Sequence, residues 1–99
     1  MVTRIVKMTF DEAKVEEFRT MITQNAYLIQ ACEGCEYLRI LQDKDQPNVF
    51  FTYSYWESDA HLEMYRKSEL FNKIWSFAKA GFISKPEAWS TQLVIELPE

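Results

Sequence analysis

Residues 49–56, VFFTYSYW, narrow the choice of fold more than any other stretch of this chain. Eight residues that are nearly all aromatic or β-branched read as a strand. Successive side chains of a strand point to opposite faces, so Val49, Phe51, Tyr53 and Tyr55 go one way and Phe50, Thr52, Ser54 and Trp56 the other. Neither set is polar enough to be left to water, so both faces of the sheet that holds this strand need cover. With 99 residues the chain is one domain, 1–99, and its core is modest.

The other elements follow from period and punctuation. Residues 2–10, VTRIVKMTF, alternate, with Val2, Arg4, Val6, Met8 and Phe10 on one face of a first strand. Thr9 or Asp11 can cap a following helix, and Glu12 suits the positive end of its dipole. Val15, Phe18, Ile22, Ala26 and Ile29 recur at steps of three or four, which makes that helix amphipathic, and Glu33–Gly34 ends it. CEYLRILQ, 35–42, is a second strand, joined to VFFTYSYW by the polar turn DKDQPN as a hairpin. Ser58 caps a helix that begins DAHLEMYRK, Ser68 caps the segment ELFNKIWSFAK, and Gly81 stops it. AWSTQLVIEL, 88–97, alternates as a fourth strand.

The order β-α-β-β-α-β defines an α+β, ferredoxin-like fold, a four-stranded antiparallel sheet with its helices on one face. One face of the third strand then stays bare. The second strand offers Leu38 and Ile40 on one side and Tyr37 and Leu41 on the other, and the fourth adds Trp89. An uncovered apolar sheet face calls for a partner, and a second copy packed sheet to sheet is the simplest one. A homodimer is expected.

Several classes of function drop out. A net charge of −4 and no basic stripe argue against nucleic acid as a partner. No apolar run approaches the ~20 residues of a membrane span, and the alternating N-terminus is unlike a signal peptide, so the expected address is the cytoplasm. Two cysteines build no disulfide framework and fit a reducing compartment. Cys32 and Cys35 form a C-x-x-C at a helix C-terminus, where the dipole opposes thiolate, and a single histidine cannot complete a zinc set. They read as structural thiols, and no metal is expected. With only Gly34 and Gly81 there is no phosphate-cradling loop, and no G-x-S-x-G elbow occurs.

Three stretches carry a resemblance: CEGC after the first helix, LQDKDQPN at the hairpin, and YWESDAHLEMYRKSELF from the third strand into the next helix. In this order and at this length the chain resembles the antibiotic biosynthesis monooxygenase domains, which are dimeric α/β barrels, over nearly all of its residues. The long third stretch is most similar to quinol monooxygenases. Gln24–Asn25 and Leu41–Gln42–Asp43 are similar to the autoinducer-2 processing isomerase. The resemblance implies a ligand cavity between helices and sheet in each subunit. It also implies a cofactor-free monooxygenase acting on a quinol-type or polyphenolic small molecule, without metal or flavin. An electron-rich ring, once deprotonated, can itself pass an electron to O₂.

The resemblance points to candidate residues, each with a plainer alternative. Trp56, of the W-E-S run, could wall a flat pocket and donate its indole N–H, or be a core or interface residue. Tyr53 lies just before it, and Ser54 stands where many relatives carry an acid. His61 matches the A-H-L-E run and suits proton transfer near neutrality, or is simply solvated in the first turn of its helix. Asn25 matches the Gln-Asn of the isomerase; it could bond a ligand oxygen or lie on the outer face. Tyr65, near a position where relatives often have a second histidine, could bond a ligand, and Phe71 and Trp75 could roof the cavity or belong to the core. The expectation is thus catalysis by His61 and Asn25, with Trp56, Tyr53, Tyr65, Phe71 and Trp75 binding an aromatic ligand. Two other readings stay open. One is an isomerase or lyase of a small carbonyl compound, which a phosphate-binding Lys or Arg in the pocket would favour. The other is a non-catalytic dimeric binding protein, toward which Ser54 and the altered histidine positions point.

Overall fold

In the computed structural model, which describes residues 1–98, the first strand, β1 (Val2–Thr9), runs antiparallel to β3 (Val49–Trp56), with Val2 opposite Trp56 and Thr9 opposite Val49. β2 (Cys35–Gln42) pairs with the far edge of β3, and β4 (Glu87–Thr91) with the free edge of β1. The strand order is β2-β3-β1-β4, all antiparallel. The helices α1 (Val15–Gln30), α2 (Asp59–Arg66) and α3 (Glu69–Lys79) complete the ferredoxin-like α+β fold.

The caps explain where the helices begin. Asp11 accepts a hydrogen bond from the Ala13 amide and opens a short 3₁₀ turn, Glu12–Lys14, from which α1 continues without a cap of its own. Ser58 accepts from the His61 amide and Ser68 from the Phe71 amide, so α2 and α3 each start at an expected serine. α1 ends at Gln30, earlier than Glu33–Gly34; Gly34 instead has φ +85° in the turn that enters β2. A methyl group at Gly34 would collide with the His61 ring, so this position needs glycine for both conformation and space. At the hairpin, Asp43 accepts from the Asp45 and Gln46 amides, which holds its carboxyl below the usual carboxylate range.

The core lies between the helices and one face of the sheet. Met8, Phe10, Phe18 and Phe50 pack there with Ile22 and Ile29, and Phe10 stacks on Phe18 at 4.3 Å between ring centroids. The doubled strand is now explained on one side. Phe50, Thr52, Ser54 and Trp56 share the helix-covered face with Met8, Val6, Arg4 and Val2. On the other side Tyr37, Tyr53 and Tyr55 pack against one another beside Ile5, with Tyr37 stacked on Tyr55, and no helix or strand among the described residues lies over them.

β4 is shorter than its alternation predicts. It stops at Thr91 rather than running to Leu97, because Thr91 already lies opposite Thr3 and β1 has almost no residues left to pair. The apolar run that follows, with Leu93, Val94, Ile95 and Leu97, is exposed and has no strand partner among the described residues.

Candidate functional site

The helix layer does not fill the space above β1 and β3. A cavity of about 260 Å³ remains between the sheet, α1 and the α2–α3 pair. Since an apolar cavity of about 150 Å³ already holds benzene, this one has room for a substituted ring or two fused rings. Its floor is the helix-facing side of the sheet, where strand register sets Leu38, Ser54, Arg4 and Ser90 in one row and Ile40, Thr52, Val6 and Ala88 in the next. Pro86 and the exposed Ala88, at the β4 edge, also line it.

Four aromatic rings form one continuous wall. Trp56 stacks on Tyr65 at 5.1 Å, Tyr65 meets Phe71 edge-on at 5.2 Å, and Phe71 stacks on Trp75 at 5.7 Å. The hinge between α2 and α3 makes this possible. Ser68 donates from Oγ to the Tyr65 carbonyl at 2.6 Å and accepts from the Phe71 amide at 3.1 Å, closing one helix while it opens the next.

The polar groups in the cavity are few. The Trp56 indole N–H donates to Ser54 Oγ at 2.9 Å, with both residues buried, so this donor is spent inside the protein. Burial, together with the nearby Cys32 and Cys35 thiols, pushes the Tyr65 phenol well above its usual range and keeps it protonated. Arg4 donates from Nη1 to Ser90 Oγ at 2.9 Å. Burial lowers its pKa, the like charge of Arg66 adds to this, and Glu63 partly opposes it. Arg66, also in the lining, is bonded to Glu63 at 2.8 Å.

Of the residues singled out in the sequence, Trp56, Tyr65, Phe71 and Trp75 meet in this wall. Tyr53 lies on the opposite face of the sheet, across from Ile5 and Arg39 and against Tyr55. His61 is half-buried outside the lining, with Nδ1 2.8 Å from Ser58 Oγ and Nε2 3.5 Å from Glu33, its ring over Gly34. Asn25 donates from Nδ2 to the Met21 carbonyl at 2.7 Å, one turn back in α1, and also lies outside the lining. Cys32 and Cys35 pack against the core as free thiols, with burial pushing Cys35 up to about 11. The arginines were missed. The signal for Arg4 was its place in the otherwise apolar series Val2, Val6, Met8, Phe10; Arg66, an ordinary charge at a helix end, carried none.

The protein is thus a ferredoxin-like domain with an aromatic-walled cavity between helices and sheet. The chain belongs to the antibiotic biosynthesis monooxygenase family, whose model matches residues 1–75. No curated protein matches it significantly. Among solved structures it is similar to an antibiotic biosynthesis monooxygenase, with a TM-score of 0.91 and 14% identity over 96% of this chain and 100% of the other. A conserved protein from Methanosarcina mazei gives a TM-score of 0.86 at 19% identity over 93% of this chain and 92% of the other. A variant of SnoaB, a cofactor-independent oxygenase from Streptomyces nogalater, gives 0.86 at 18% identity over 99% and 97%. No helix among the described residues is long and apolar enough to cross a membrane.

Proposed function

We propose that the protein is a cofactor-independent monooxygenase acting on a quinol-type or polyphenolic small molecule bound in the cavity, and that it works as a homodimer. The observation that carries the reading is the four-ring wall from Trp56 to Trp75, which suits the faces of a planar ring. Family membership and the likeness to an oxygenase that needs no cofactor support it. The work of such a protein is to bind a flat, electron-rich molecule away from water and leave it open to O₂. A quinol that loses its proton transfers an electron to O₂, and the radical pair joins at a ring carbon. Loss of water then leaves a hydroxyquinone, so that one O₂ oxidises one quinol and one oxygen atom leaves as water.

The lining among the described residues holds no Asp, Glu or His to take the quinol proton. This favours substrates acidic enough to ionise unaided, or a binding protein that turns nothing over. Arg4 and Arg66 are what an isomerase or lyase for a phosphorylated carbonyl compound would need. Against that reading, most of the wall is apolar, and besides the two arginines only Thr52, Ser54 and Tyr65 of the described lining could bond a hydroxyl-rich substrate. The dimer is supported by the tyrosine face and by the exposed apolar run after Thr91.

Oxygen uptake with a panel of substituted hydroquinones tests the proposal. Turnover that falls tenfold or more in kcat/KM in Phe71→Ala and Trp75→Ala, while His61→Ala stays within a few-fold of the parent, is the expected pattern. Binding of the quinols without oxygen uptake would leave a binding protein. Conversion of dihydroxyacetone phosphate would move the assignment to the isomerase reading.

A further inference from the structure

The cavity has a charge pattern that a neutral quinol does not use. Among the described residues its lining has no negative group, and its charges are the two guanidiniums of Arg4 and Arg66. Arg66 is matched by Glu63 at 2.8 Å. Arg4 has no carboxylate within ion-pair distance among the described residues; its observed partner is the neutral hydroxyl of Ser90, on one nitrogen. Arg4, Arg66 and Glu63 together leave one positive charge in excess at the end of the cavity toward β4.

Its placement is equally specific. Arg4 projects from β1, a central strand, on the face that packs against helices, in the row between Ser54 and Ser90. A guanidinium there is half-buried, and its surroundings disfavour its charge. Such a group gains from an anion that can accept two parallel N–H bonds, and a guanidinium with one nitrogen on Ser90 still has donors to offer. Arg4 and the aromatic wall line the same cavity, so a ring seated against Trp56 and Tyr65 can carry a substituent to Arg4.

We propose that the cavity takes a planar aromatic acid, with its carboxylate bound by Arg4 and its ring against the Trp56–Tyr65–Phe71–Trp75 wall. This rests on the reading above that the site receives an aromatic molecule, and adds to it an acid group as the determinant of specificity. Glu63 balances the charge of Arg66, so the unbalanced charge in the lining is that of Arg4.

The test is a binding series read by quenching of tryptophan fluorescence, using 2,5-dihydroxybenzoate, its methyl ester and hydroquinone. The acid is expected to bind about tenfold or more tightly than the ester, the usual worth of a charge-assisted pair over a neutral one. Arg4→Gln should remove that advantage while ester binding changes less than threefold, and Arg4→Lys should restore part of it. An ester that binds as well as the acid to the parent protein overturns the proposal without any variant, so a poorly folded Arg4→Gln cannot shelter it. Equal weakening of acid and ester by Arg4→Gln would likewise overturn it and make Arg4 a structural residue. Hydroquinone binding without acid preference removes the acid and keeps the aromatic site. Binding of none of the three removes both.

Discussion

At the scale of single residues, the pair Ser54–Trp56 shows how position outweighs chemical type. The indole N–H of Trp56 is the kind of donor a ligand could use, but Ser54 takes it at 2.9 Å in a buried setting. Ser54→Ala leaves that N–H without an acceptor and is expected to lower the unfolding free energy by about 1–3 kcal/mol, measured by urea denaturation. A second residue-scale prediction concerns alkali. Burial raises the folded-state pKa of Cys35 to about 11 and also raises that of Tyr65, so the folded protein holds these protons more tightly than the unfolded chain. Their contribution is fully present below the unfolded thiol pKa near 8.5 and is lost as pH rises toward 11. Denaturation midpoints should fall from pH 8.5 to 10.5, and Cys35→Ser should flatten the first part of that fall. A midpoint constant across this range would contradict the burial of both groups. Strand parity had already set Tyr53 on the face away from Trp56, and the structure keeps them apart. Arg4 was missed, although it is the one charge in an apolar series.

Elements decide which of these residues meet. The break at Lys67–Ser68 turns one potential helix into two, and the turn brings Tyr65 and Phe71 together edge to face. Ser68 holds both sides of that break, whereas Ser58 caps α2 at its far end beside His61. Ser58→Ala and Ser68→Ala should each cost about 1 kcal/mol of stability. Only Ser68→Ala should also weaken binding of an aromatic probe, because it alone loosens the cavity wall; equal effects on binding would mean that the hinge does not shape the site. Helix spacing made α1 and α3 readable, and the two serines marked both later starts. The end of β4 was not readable, because alternation continues to Leu97 while the pairing partner runs out.

For the whole molecule, the open surface is the tyrosine face of the sheet. Tyr37, Tyr53 and Tyr55 cover one another, Trp89 is 44% exposed, and the apolar residues of the run after Thr91 are exposed. A charge at the centre of a packed interface costs far more than one on its rim. Tyr55→Glu is therefore expected to shift a dimer to monomer in light scattering at micromolar concentration, with the cavity face of the sheet unaltered. A parent protein that is already monomeric would remove the dimer from the proposed function.

Periodicity by itself determined the elements, their order and the face on which each side chain lies, because those depend on neighbours within a few positions. The resemblance in YWESDAHLEMYRKSELF pointed to the right stretch of chain for most of the aromatic wall, though His61 and Asn25 lie outside the cavity. Only the tertiary structure decided which polar groups share that cavity. Strand order and register set Arg4 of β1 between Ser54 of β3 and Ser90 of β4, residues far apart along the chain, and a hydrogen bond between such groups leaves no local pattern to read.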